Sequence, residues 1–325
     1  MTQLTDMTDA VDSAHQPKTL RQVHPIRGVR PVRRTRFVHA VVLCAALIGL
    51  AGCGGGGGAG SSPEPSGSAI PTSAQLQLVA IGDSIPYNSP DDCPGCEGFV
   101  NRYGAAIQSV SNRPVQVTNL SQHNNLTLPG LLEELPTFND QLGAADIIVV
   151  GIAHNSFELN VDRPCGGGRH GPDDALPDWS KLTPACAKAS AAKYRPQFDT
   201  LFGQVAATRA GKPTILRTIN RYNDYIGWQD AHLTPAENQK TVVFLNEWNT
   251  MLCQTAEQHG FQCADIYHAF NGPDGSKASG KLLAADYTHP SDEGNAKIAE
   301  ILTKQGYNQS FDRPAVLSGN ARICR

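Results

Sequence analysis

Leu76-Gln77-Leu78-Val79-Ala80-Ile81-Gly82-Asp83-Ser84-Ile85 is the stretch from which the rest of this chain can be read. A short apolar run, Leu76–Ile81, reads as a strand, and the glycine after it lets the backbone bend sharply. An aspartate and a serine therefore sit where strand gives way to turn. Four further runs of the same kind follow at Val115–Leu120, Asp146–Ile152, Thr214–Thr218 and Gln262–Ile266. Between them lie helical patterns near Phe99–Val110, Leu131–Leu135, Ala185–Ala210, Pro235–His259 and Ser291–Thr303, each able to cross over a sheet. This alternation predicts an α/β domain built on a mainly parallel five-stranded sheet. Such sheets bind ligands beyond the carboxyl ends of their strands, so the residues just after each strand are the site candidates.

Far from Ser84 in sequence stands Asp286-Tyr287-Thr288-His289-Pro290, followed by a helix start at Ser291 with Asp292 and Glu293 in its first turn. An acid three residues before a histidine lets one short loop present an imidazole to a serine while the carboxylate orients the ring and stabilises its charged form. Each block alone is commonplace, since Ser84 could be a helix cap and Asp83 a turn former. Their order and placing together resemble the GDSL/SGNH hydrolase family of serine esterases and lipases, from about Leu76 to Leu302. That resemblance implies a flavodoxin-like three-layer α/β/α sandwich. It also implies Ser84 as nucleophile, His289 as general base and acid, and Asp286 as the group that orients it.

Two other family blocks are altered here. Gly151-Ile152-Ala153-His154-Asn155-Ser156 stands where the family carries Gly-x-Asn-Asp, which puts Asn155 in the role of an oxyanion donor beside the N–H of Ser84. Asn119-Leu120-Ser121-Gln122-His123-Asn124 lacks the family's second-block glycine, and Asn124 is the substitute, because asparagine tolerates left-handed backbone. Asp83, His123 and His154 are the candidate substrate contacts, although both histidines can equally be polar residues at loop ends. Tyr87, Asn88, His123, Asn124 and Asn125 are polar, which points to short acyl groups on a small polar or glycan ester; an apolar tunnel would point to lipid esters instead.

Upstream, Arg30, Arg33, Arg34 and Arg36 precede an apolar run from Phe37 to Leu50, the pattern of a signal peptide too short to be an ordinary membrane span. Leu50-Ala51-Gly52-Cys53 resembles the lipobox of bacterial lipoproteins. The resemblance implies cleavage before Cys53, a lipid on its thiol, and a place on the outer face of the bacterial cell membrane. Residues 1–52 are then leader, 53–74 a Gly/Ser/Pro tether, and 75–325 the hydrolase-like domain. Arg33-Arg34 also allows a twin-arginine export signal, and a translation start near Val29 or Val32 would leave a leader of ordinary length. From residue 53 onward 20 basic side chains face 27 acidic ones, a net charge of −7. An acidic surface without a basic stripe argues against nucleic acid as a partner. Oligomeric state is not legible.

Nine cysteines suit an oxidising compartment. Setting aside Cys44 and Cys53, nearest-neighbour pairing joins Cys93 to Cys96, Cys165 to Cys186 and Cys253 to Cys263, with Cys324 left over. Cys93-Pro94-Gly95-Cys96, between a strand and a helix, also supports a rival reading as a thiol-disulfide oxidoreductase. A third reading keeps the fold without the chemistry, as a lipoprotein that binds a glycan or lipid. No set of histidines, acids and cysteines has the spacing of a metal site, and the serine chemistry requires neither metal nor organic cofactor. Phe157–Pro184 is long for a loop and reads as a lid, a binding loop or a surface decoration.

Overall fold

The five apolar runs pair side by side in a computed structural model that describes residues 75–156, 165, 169–170, 176–228 and 233–306. Cys53, the leader, the tether and Cys324 lie outside the described residues. Strand β1 (Leu76–Gly82) is flanked by β2 (Val115–Asn119) and β3 (Ile147–Gly151), and β6 (Ile215–Ile219) and β7 (Gln262–Ala264) extend the β3 side. The order β2-β1-β3-β6-β7 is parallel throughout. Two-residue strands β4 (Arg169–His170) and β5 (Leu176–Pro177) form a separate antiparallel pair inside the long loop, too short to leave a periodic signal.

Alternation along β1 divides the core between two faces. Leu76, Leu78 and Ala80 pack with Phe99, Tyr103 and Ile107 of α2 (Phe99–Ser111) and with Ile298 and Leu302 of α8 (Asp292–Lys304). Val79 and Ile81 face the other way, into a cluster with Leu128 and Leu131 of α3 (Leu128–Glu134) and Leu142 of α4 (Asn139–Ala144). The same cluster takes in Phe198 and Phe202 of α5 (Pro184–Thr208) and Leu245 and Trp248 of α6 (Pro235–Gln258). Helices on both faces of a parallel sheet give the three-layer sandwich. No helix among the described residues is long and apolar enough to cross a membrane.

Helix ends follow local chemistry. Thr234 and Glu237 form a reciprocal capping box at the start of α6, with Pro235 at the first helical position. Ser291 caps α8 by accepting from the Gly294 N–H, while Asp292 and Glu293 lie in its first turn. Helix α3 starts earlier than its apolar pattern indicates, because the Thr127 side chain caps it. The last predicted strand is corrected at its end: Ile266 opens α7 (Ile266–Asn271), where the Asp265 side chain accepts from the His268 N–H. Disulfides join Cys93 to Cys96, Cys165 to Cys186 and Cys253 to Cys263.

The strand order reverses between β1 and β3, since the connection from β1 leads to β2 on one side and that from β3 leads to β6 on the other, and a crevice opens at such a point. Gly82 and Gly151 are register partners at the carboxyl ends of β1 and β3. The residues that follow them meet there.

Candidate active site

Ser84 opens α1 (Ser84–Tyr87), a single turn directly after β1 that sequence periodicity is too short to reveal. Asp83 caps that turn. Its Oδ1 accepts from the Ile85 N–H at 3.0 Å, and its Oδ2 accepts from the N–H groups of Ala153 and His154 at 3.2 Å each. The side chain is completely buried. Burial pushes its pKa above the usual carboxylate value, against the pull of those three N–H donors and of His289. The expectation that Asp83 touches substrate is therefore corrected: its carboxylate ties the serine turn to the loop after β3 and has no surface left to offer.

From the other end of the chain, His289 places Nε2 2.9 Å from Ser84 Oγ, and its Nδ1 lies 2.5 Å from Asp286 Oδ2. Asp286 Oδ1 accepts from the N–H groups of Thr288 and His289, both at 3.0 Å, so one carboxylate folds its own loop and orients the ring. Tyr287, between them, takes a left-handed φ of 59°. Tyr222, in the loop after β6, donates its hydroxyl to the Thr288 carbonyl at 2.5 Å and braces the loop from below. Burial works against a charged His289 ring, but the hydrogen bond and charge of Asp286, with Asp92 and Asp83 behind, hold its pKa above the ordinary 6.5. The same pairing, opposed by partial burial, keeps the Asp286 carboxyl below its ordinary range.

Asp92 carries no sequence signal, yet its Oδ2 lies 3.4 Å from His289 Nε2 and 3.0 Å from His123 Nε2. His123 is exposed and its ring stacks on Tyr87, with centroids 5.7 Å apart. His154, by contrast, is buried against the Tyr222 ring at 4.8 Å. Burial, reinforced by the charges of Arg221 and His289, pushes its pKa well below 6.5 and keeps it neutral. Packing on Tyr222 thus replaces the substrate contact expected of His154.

Asn155 follows β3 and donates one amide hydrogen to the Leu126 carbonyl at 3.1 Å; a side-chain amide has a second. Ser156 is buried and accepts from the Leu128 N–H, joining this loop to the start of α3. Asn124 is exposed with its amide on Gln122, and the left-handed backbone expected of it falls on Asn125, at a φ of 60°. The N–H of Ser84 lies at the first position of a helical turn, where helix geometry supplies no acceptor.

A nucleophile, a base and an orienting carboxylate in hydrogen-bonded sequence can carry out acyl transfer. The family model for GDSL-like lipases and acylhydrolases matches residues 80–297 and so takes in Ser84 at one end and His289 at the other. The chain belongs to that family. Among solved structures the GDSL chain resembles the lipase Lip_vut3 from a goat rumen metagenome, with a TM-score of 0.51, 19% identity, and coverage of 71% of this chain and 98% of that one. An extracellular lipase from Streptomyces rimosus gives 0.49 at 14% identity, covering 71% and 100%. The acetyl xylan esterase AlAXEase gives 0.45 at 13%, covering 71% and 100%. A search among curated proteins found no match.

If the raised His289 pKa governs the base, kcat/KM falls on the acid side with a midpoint above pH 6.5, because only the neutral ring can take the serine proton. Asp92→Asn removes a charge that favours the imidazolium and moves that midpoint to lower pH. Ester hydrolysis followed against pH in EDTA-containing buffer checks this; an unmoved midpoint refutes the electrostatic role of Asp92.

Proposed function

We propose that this protein is an exported, lipid-anchored serine hydrolase that cleaves carboxylic esters through an acyl-Ser84 intermediate. The observation that carries the reading is the continuous chain Ser84 Oγ to His289 Nε2 at 2.9 Å and His289 Nδ1 to Asp286 Oδ2 at 2.5 Å. In it, His289 Nε2 takes the serine proton as Oγ attacks the ester carbonyl. The tetrahedral oxyanion receives the N–H of Ser84 and the free amide hydrogen of Asn155. Collapse breaks the bond to the alcohol, which leaves with the proton from His289; water, deprotonated by the same ring, then releases the acid and frees Ser84.

Short acyl groups on a polar or glycan substrate fit the surroundings best. Tyr87 ends the serine turn and Tyr287 lies within the histidine loop, 45% and 39% exposed, and His123 and Asp92 supply polar edges. Exposed aromatic faces beside hydrogen-bonding groups suit a sugar ring better than an alkyl chain. The full chain is expected to turn over p-nitrophenyl acetate faster than the laurate ester, with both rates lost in Ser84→Ala. Preference for laurate would move the substrate class to lipids.

Export rests on the apolar leader and on three disulfides, which persist in oxidising compartments. The lipid anchor rests on Leu50-Ala51-Gly52-Cys53 alone. Labelled palmitate supplied to bacteria making the full chain is expected in the protein and absent from Cys53→Ser. Equal labelling of both would remove Cys53 as the attachment point.

A further inference from the structure

Three loops distant in sequence bring Asp92, His123 and His289 together, with one ligand-capable atom from each, all within 4.8 Å of one another. Tetrahedral zinc with bonds of about 2.0–2.1 Å separates neighbouring ligand atoms by about 3.3 Å. Asp92 Oδ2 stands 3.0 Å from His123 Nε2 and 3.4 Å from His289 Nε2, close to two edges of such a tetrahedron. The rings of His123 and His289 meet at 62° with centroids 5.9 Å apart, so a small rotation of the exposed His123 closes the third edge.

One ligand-capable atom at this point lacks a hydrogen-bond donor. Asp92 Oδ2 is buried and accepts no hydrogen bond among the described residues. Asp286 takes the Nδ1 hydrogen of His289, so the Nε2 lone pair accepts from the Ser84 hydroxyl at 2.9 Å with Asp92 Oδ2 3.4 Å away, and an ion bound there displaces that one hydrogen bond. A carboxylate holding the far nitrogen of a histidine is also the arrangement that orients a metal-ligating imidazole and raises its basicity. Two imidazoles and a single carboxylate favour zinc over magnesium or calcium, which require more oxygen ligands.

We propose that Asp92, His123 and His289 form an inhibitory zinc site across the mouth of the active site. Zinc takes the Nε2 lone pair that must receive the serine proton, so bound ion and ester hydrolysis exclude each other. The inhibition rests on the serine hydrolase reading, whereas the binding of the ion does not.

The test uses the full chain stripped of metal. Calorimetric titration with zinc chloride is expected to show a binding component that disappears in an Asp92→Ala/His123→Ala double variant and persists in Ser84→Ala. Other histidines take up zinc as well, so the difference between parent and double variant is the readout. In parallel, zinc but not magnesium is expected to suppress ester hydrolysis, with activity restored by EDTA. Asp92→Asn and His123→Gln, checked for folding by circular dichroism, are each expected to weaken inhibition tenfold or more against their own zinc-free rates. Identical zinc uptake by parent and double variant would overturn the site. Absence of hydrolysis in zinc-free parent would instead sink the hydrolase reading, leaving the calorimetry to decide the metal.

Discussion

Ser84→Ala is expected to lower kcat/KM for p-nitrophenyl acetate by about 10^4-fold or more, because no other group can replace the attacking oxygen and loss of a triad member typically costs this much. The protein should remain folded. Ser84 is only half-buried, its hydroxyl bonds to a half-buried ring, and the cap of α1 comes from Asp83 rather than from Ser84 itself. Thermal unfolding within a few degrees of the parent, with hydrolysis gone, is the expected pair of results. Retained hydrolysis would dismiss Ser84 as nucleophile. A Cys93→Ser/Cys96→Ser variant that alone lost activity would revive the thiol-disulfide reading, and a parent inert toward every ester would favour a binding lipoprotein.

Gly82→Ala is expected to destabilise the fold by about 3–5 kcal/mol, at the upper end for single substitutions. A Cβ at this position lies 2.0 Å from the Gly151 carbonyl oxygen and 2.9 Å from Pro86, and the backbone holds a φ of 152° that side chains rarely adopt. To admit it, β1 and β3 must part at the point where Asp83 crosses to the N–H groups of Ala153 and His154. Stability and serine placement therefore fail together. Gly143→Ala is the control: it lies in α4 with nothing within 4 Å of an added Cβ, and alanine in a helix is neutral to slightly stabilising. Urea unfolding of both variants reads the contrast; equal midpoints would refute the steric argument.

Much of this architecture was legible before any coordinates, for a local reason. An apolar run of five to seven residues and an amphipathic helix announce themselves through their own burial, and caps such as Thr234 with Glu237 or Ser291 act within one turn. Gly-Asp-Ser after the first strand and Asp-x-x-His before the last helix were visible for the same reason, since each is a contiguous block. Helix α1 was not, because a single turn has no period, and the swap of strand for helix at Ile266 turned on a cap that an apolar run conceals.

What the sequence determined by itself is therefore the α/β alternation and the two blocks that carry Ser84, Asp286 and His289; it offered the three cysteine pairs only as nearest neighbours, and the fold joined them. Only the tertiary structure decided that Asp83 is a buried brace, that His154 packs on Tyr222, and that Tyr222 holds the histidine loop through the Thr288 carbonyl. Only it brought Asp92 and His123 against His289. These contacts join loops that follow β1, β2, β3 and β6 to a loop before α8, and their meeting depends on a sheet order that reverses between β1 and β3. Periodicity reports which side of its own element a residue faces; it carries no information about which strand ends the sheet will set side by side.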